Sequence, residues 1–329
     1  MKKKQLTVAQ LSRKHISIII STGIVVVIAA ILAFKSQAAT PFLGLEPDAG
    51  SITAPASKLN NTTASGGSGV AFRAPTPTPG TPPSGQPMPV GDLAGWKQVF
   101  KDDFTNGNVA LGSFPGSYGT TWSVGYADGT PDTAGKTNGG ISGYMPSKVL
   151  SIQNGVMDMY LHSENGKSMS AAPMPKVNKQ TWPYNGQLYG KWTVRFKSDS
   201  LPGYKTAWLL WPDSGIWNDG EIDFPEGDLN GTIHAFSHCV GDTPRNNCLS
   251  VNTAAKYTDW HTASIEWVSG KVTFILDGQT IGTTTNSVPT KSMHYIFQTE
   301  SCFGGVSTCP AATTAGHLQI DWVSIYTQM

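Results

Sequence analysis

The sequence predicts an all-β protein, a two-sheet antiparallel sandwich of jelly-roll type formed by one domain of about 235 residues from Trp96 to Met329. Four observations carry this expectation. Beyond Trp96 the chain is a series of short apolar runs of period two, punctuated by Gly, Pro, Asn and Asp. No stretch there holds a long 3.6-residue period, so sheets must cover one another without intervening helices. Charged residues are 14% of the chain, against about a quarter in an average domain, while Gly, Thr and Ser are abundant. All ten Trp and all ten Tyr lie at or after Trp96, so the first 95 residues lack the aromatic material of a sizeable core.

The N-terminus divides into three segments. Residues 1–15 hold Lys2, Lys3, Lys4, Arg13 and Lys14, and residues 16–34 follow as 19 uncharged, mainly apolar residues. A bilayer core takes about 20 such residues as a helix, and the basic excess before the span predicts a cytoplasmic N-terminus with the rest of the chain outside. A single-pass anchor in the cell membrane is therefore expected. The alternative is secretion after signal cleavage near Ala38, where "SQA" resembles a peptidase site. Residues 35–95 read as an extracellular Ser/Gly/Pro-rich linker. Within it, residues 41–74 have material for two or three strands at most, and Pro75 to Pro89 contain seven prolines in 15 residues. That Pro-rich run predicts extended polyproline II, roughly 45 Å long at ~3.1 Å per residue.

In the main domain, "GKWTVRFKS" places Trp192, Val194 and Phe196 on one face and Lys191, Thr193, Arg195 and Lys197 on the other. "GKVTFILDGQTIG" predicts a hairpin with Val272, Phe274 and Leu276 inward and Asp277-Gly278 as the turn. Trp192, Trp267 and Trp322 alternate with polar neighbours and are expected in the core. Of the four cysteines, Cys239 and Cys248 are nine apart, and Cys302 and Cys309 seven apart. Two local staples are the simplest of three possible pairings in an exported chain. Neither gap suits a zinc knuckle.

Composition excludes some partners. The net charge is +1 and no basic run follows the N-terminus, so nothing points to nucleic acid. There is no G-x-S-x-G elbow with a βαβ pattern for a Ser/His/Asp hydrolase. The seven histidines make no H-E-x-x-H cluster for zinc.

The stretch "GEIDFPEG", residues 220–227, sets three carboxylates and a proline inside an apparent buried strand. A regular strand would point Glu221 and Asp223 to one face and Ile222, Phe224 and Glu226 to the other. Burying an unpaired carboxylate costs several kcal/mol, so the register must break before Glu226, and Pro225 is the natural breaker. One extra residue in a bulge returns Glu226 to the side of Glu221 and Asp223. Two carboxyls brought close on one face suit retaining glycoside hydrolysis, one as ionised nucleophile and one as protonated acid. Asp223 beside Glu221 can orient it and share the charge. The competing reading is a calcium site or an exposed acidic patch. The oxygen-rich loop "GDLNG", residues 227–231, would serve calcium better than a pleated strand, so no cofactor is expected.

At this point the chain resembles glycoside hydrolase family 16, which includes laminarinases, lichenases, agarases, carrageenases and transglycosylases. "EIDFPE" matches the family pattern E-x-D-x-x-E. "WKQVFKDDF", "YGKWTVRFKSDSLPGYKTAWLLWP", "GTIHAF", "DWHTASIEWVSGKVTFILDG" and "LQIDWVSIY" resemble its strands, so that the likeness covers about residues 96–329. The resemblance implies a concanavalin A-like jelly roll with a glycan cleft, Glu221 as nucleophile, Asp223 as its helper and Glu226 as acid/base. It implies substrate contacts for Arg195 and His234, and aromatic faces for sugar at Trp211 and Trp217 in the loop before the catalytic strand. Trp217 stands one residue closer to the first acid than is usual in the family, and Phe224-Pro225 replaces an aliphatic residue and Met.

The expected function is that of an extracellular endo-acting retaining glycosidase, monomeric, cleaving β-1,3 or mixed β-1,3/1,4-glucan. The alternatives are a non-catalytic cell-surface glycan-binding protein and a transglycosylase on the same fold.

Overall fold

The computed structural model describes residues 56–60, 68–72, 82–177, 186–241 and 246–329. The span expected over 16–34 lies outside them, and among the described residues no helix is long and apolar enough to cross a membrane. The chain divides into two units, residues 1–76 and 77–329.

The first unit contains β1 (Ala56–Asn60) and β2 (Ser68–Phe72), paired antiparallel from Ala56 opposite Phe72 to Asn60 opposite Ser68. Part of the segment expected as linker is thus a two-stranded sheet.

The second unit contains β3 (Trp96–Asp102), β4 (Trp122–Ser123), β5 (Ser142–Tyr144), β6 (Leu150–Gln153), β7 (Val156–Glu164), β8 (Lys167–Ser170), β9 (Met174–Pro175), β10 (Gly190–Ser198), β11 (Tyr204–Pro212), β12 (Ile222–Asp228), β13 (Thr232–His238), β14 (Asn247–Lys256), β15 (His261–Val268), β16 (Lys271–Leu276), β17 (Gln279–Thr284), β18 (Met293–Ser301) and β19 (Gly316–Gln328). Two large sheets result. One runs β17-β16-β15-β10-β19-β7-β8-β5, with β3 beside β19 and β6 beside β7; the other runs β14-β13-β12-β11-β18. Pairing is antiparallel throughout both except between β5 and β8. A single helical turn, α1 (Pro146–Val149), starts with Pro at a position whose N–H has no helical partner anyway.

Period two dictates the core. Trp192, Val194 and Phe196 of β10 are buried, as are Val272, Phe274 and Leu276 of β16. Across the gap stand Trp208 of β11 and Phe224 of β12, both fully buried. Phe196 meets Trp208 edge-on at 5.1 Å, and Phe224 meets Phe274 at 5.4 Å. Each such ring removed from water contributes roughly 1.5–3 kcal/mol, which is what clamps one sheet to the other. The expected core residues Trp192, Trp267 and Trp322 are all buried. At the β16–β17 turn Asp277 and Gly278 have φ of 48° and 79°, the two positive angles a type I′ turn requires.

The packed domain begins before Trp96. Ser84 donates its backbone N–H to Asp321 at 3.2 Å, Trp322 donates its indole N–H to the Gln86 carbonyl at 2.9 Å, and the Gln98 side-chain amide donates to the Pro89 carbonyl at 2.9 Å. Residues 82–95, linker by composition, therefore belong to the sandwich. Cys239 pairs with Cys248 and Cys302 with Cys309, the two local staples expected.

Candidate active site

The outer face of the five-stranded sheet carries the acids, and β12 places them by an irregularity. Asp223 stands opposite Phe236 on β13 and Leu209 on β11, while Glu226 stands opposite His234 and Ala207. Three steps along β12 thus match two on each neighbour, which is one extra residue at Phe224-Pro225, a bond that is cis. Ile222 and Phe224 stay fully buried in the core while Asp223 and Glu226 share the opposite face. Glu221 enters just before the strand. Its carbonyl accepts the His238 N–H at 3.0 Å. Gly220 before it has φ 115°, and a Cβ there would lie 2.5 Å from Pro289, so the approach to the first acid is fitted to glycine.

The three carboxylates open into a cleft of about 270 Å³. Trp217, in a single 3₁₀ turn at Trp217–Asp219, donates its indole N–H to Glu221 Oε2. His238 Nε2 lies 3.1 Å from Asp223 Oδ2 and 3.9 Å from Glu221 Oε2. Lys205 Nζ contacts Glu226 Oε1 at 2.7 Å, with 9% and 17% of the two side chains exposed.

Crowding and burial set the protonation. Burial first, then the Asp223 charge, push the Glu221 carboxyl up to about 9, while His238 and the Trp217 N–H pull against them. Asp223 is raised well above its usual value, by burial first and then by Glu226. The two acids crowd one another, so both shifts favour the protonated form in the resting cleft. The Asp223 side chain is 2% exposed against 15% for Glu221, and Glu221 receives the Trp217 indole donor. For Lys205 burial opposes the ammonium, but Glu226, helped by Glu300 and Asp223, outweighs it and its pKa is raised.

Glu221, Asp223 and His238 present three potential ligand atoms within 4.8 Å of one another, enough to surround a cation. The Trp217 donor and the neighbouring lysine both work against one.

The other residues singled out in the sequence fall in different places. Trp217 lines the cleft. His234 lies on the cleft side of β13, cross-strand from Glu226, with Nε2 at 3.0 Å from the Thr232 hydroxyl. Trp211 is in β11 rather than in a loop, opposite His294, and packs on a small apolar cluster with Leu209 and Ile296. Arg195 requires a correction. It belongs to β10 of the other sheet and faces outward into a separate groove, where it donates to the Trp260 carbonyl and the Thr262 hydroxyl, both at 3.2 Å. It cannot touch a sugar in the cleft. Period two does put it on the polar face of its strand, but that face is on the far side of the sandwich from the acids.

Several cleft residues escaped the sequence reading: Lys205, His238, Asn247, Glu300 and Phe303. A signal existed for His238, which follows His234 by four residues on the same face of β13. Asn247 and Phe303 each adjoin a disulfide, so the two staples fasten opposite margins of the cleft. Lys205 and Glu300 are cross-strand partners, and no local pattern announces such a pair.

A family model described as glycosyl hydrolases family 16 matches residues 132–324. Among solved structures, a non-specific endo-β-1,3(4)-glucanase of family GH16 has a TM-score of 0.55 at 19% identity, over 78% of this chain and 100% of that one. The laminarinase from Rhodothermus marinus gives 0.55 at 19%, over 71% and 98%. The laminarinase catalytic domain from Thermotoga maritima gives 0.52 at 19%, over 71% and 99%. At these identities the likeness is one of fold. No curated protein sequence matches the chain.

Proposed function

Because the chain belongs to glycosyl hydrolase family 16, a family of glycosidases, we propose that it is an endo-acting β-glucanase that cleaves β-1,3 or mixed β-1,3/1,4-linkages with retention. The observation that carries the reading is the one-residue bulge at Phe224-Pro225, which brings Glu226 to the face of Glu221 and Asp223. In the first step Glu221 attacks the anomeric carbon. The bond to the glycosidic oxygen breaks, and that oxygen leaves with the proton of Glu226. In the second step water attacks the same carbon, its proton passes to Glu226, and the electron pair of the ester returns to Glu221. Asp223, beside Glu221 on the same face, orients it and shares its charge, and the indole N–H of Trp217 holds Glu221 Oε2. The Trp217 ring at the cleft wall offers an apolar face for a sugar. The glucan preference is supported by the laminarinases and glucanase of the same fold.

The enzyme is further proposed to act outside the cell, tethered through residues 16–34 or released by cleavage near Ala38. The basic N-terminus and the two disulfides support this.

Reducing ends released from laminarin, lichenan, agarose and carrageenan test the substrate class. The expected result is release from laminarin or lichenan, with the β-anomer seen first by proton NMR, and a loss of more than about a thousandfold in Glu221→Gln. Binding without release on every polymer would turn the reading into that of a glycan-binding protein.

A further inference from the structure

Lys205 is a nearly buried lysine at the centre of a glycosidase cleft, and its surroundings define a task. Its Nζ lies 2.7 Å from Glu226 Oε1, and the Phe303 ring covers it with the centroid 3.9 Å away. Glu300 stands directly opposite on β18, 2% exposed, and accepts the Thr133 N–H at 3.2 Å. Asp223 is close enough to act on the lysine electrostatically. Lys205 is therefore the cation in a row of carboxyl groups, in direct contact with only one of them among the described contacts.

Glu226 needs that cation in one half of the reaction more than in the other. As an acid it is neutral until it gives up its proton. Once the leaving oxygen has taken it, Glu226 is an anion in a half-dry cleft near Asp223 and Glu300, and it must stay an anion until water attacks. Coulomb repulsion there is only partly screened. An ammonium at hydrogen-bond distance offsets it, and by holding Oε1 it leaves Oε2 as the oxygen that can meet the water.

From this geometry, and resting on the roles proposed above for Glu221 and Glu226, we infer that Lys205 is a positioning residue that holds Glu226 by Oε1 and offsets its negative charge in the deglycosylation step. Lys205 itself exchanges no proton. In that step the oxygen of water bonds to the anomeric carbon, the bond to Glu221 breaks with its electron pair returning to Glu221, and the proton of water ends on Glu226.

The test separates the two half-reactions. A dinitrophenyl β-glycoside of a glucan disaccharide has a leaving group that needs no acid, so its first step survives loss of the Lys205 charge. In Lys205→Met, kcat on this substrate is expected to fall about ten- to a hundredfold, the scale of one charge-assisted hydrogen bond. A burst of dinitrophenolate, one per active site, should precede the slow phase, and the glycosyl ester on Glu221 should be visible by mass spectrometry. Azide, an anionic nucleophile that needs no base, should restore turnover and yield a glycosyl azide while leaving the wild type unchanged. Lys205→Arg should stay near wild type. Lys205→Gln keeps a donor without the charge and should behave like Lys205→Met, which covers the case in which the methionine variant fails to fold.

Glu226→Ala run alongside distinguishes two failures. If azide does not relieve Glu226→Ala, the role assigned to Glu226 falls. If azide relieves that variant, but the uncharged Lys205 variants show full kcat without a burst, or a loss that azide does not relieve, the role of Lys205 is overturned.

Discussion

In the proposed mechanism the carboxylate that attacks the anomeric carbon must be charged, and Glu221 sits where charge is costly. Burial and its neighbour Asp223 raise it from 4.5 to about 9. Through linkage this has a definite sign. An acid whose folded value is raised binds more protons folded than unfolded, so stability falls as pH rises from about 4.5 to about 9. Glu221→Gln removes that term. Its melting temperature should be equal to or above that of the wild type at neutral pH and decline less between pH 5 and 9, although it is inactive. A variant that melts lower, with the wild-type slope, would contradict this account. The three acids were legible in "EIDFPE" because like charges beside a proline violate the ordinary economy of a strand. Lys205, His238 and Glu300 were not, since each comes from a different strand and looks locally unremarkable.

The unit that makes the site is the bulged strand β12. Its bulge could be inferred from sequence because the regular alternative buries Glu226 beside Phe224. The structure realises it against both neighbours at once. Inserting one alanine after Pro225 shifts the parity by one residue and should turn Glu226 toward the core. The expected outcome is loss of all measurable glycan cleavage together with several kcal/mol of stability, read by reducing-end release and by chemical denaturation. An active, equally stable insertion variant would show that residue parity along β12 does not position the acid. Elsewhere the alternation in β10 and the Asp277-Gly278 turn of the β16–β17 hairpin were readable for the same reason: period two and positive φ leave direct traces in residue type. Trp211 was misplaced by two or three residues at the end of β11, the kind of boundary that side-chain pattern marks weakly.

At the scale of the molecule, the sandwich extends over residues that composition assigned to a spacer. The contacts of Ser84, Gln86 and Pro89 with Asp321, Trp322 and Gln98 join the Pro-rich segment to β19 and β3. Three hydrogen bonds at ~0.5–1.5 kcal/mol each are worth about 1.5–4.5 kcal/mol. A chain starting at Trp96 should therefore melt several degrees below one starting at Pro82, by calorimetry. Equal melting temperatures would return residues 82–95 to the linker. The sequence by itself determined the all-β class, the core alternation, the two cysteine pairs as the simplest choice, and the triad of acids with the break that unites them. These depend on neighbours within a strand or turn, where residue type and spacing act directly. Only the tertiary structure decided that Arg195 lies on the far sheet, that Trp211 packs into a strand, and that Lys205 and Glu300 meet across β11 and β18 beneath Phe303. Those placements depend on strand order in a sandwich, which joins residues about 100 positions apart, and nothing in the local pattern encodes which strands will be neighbours.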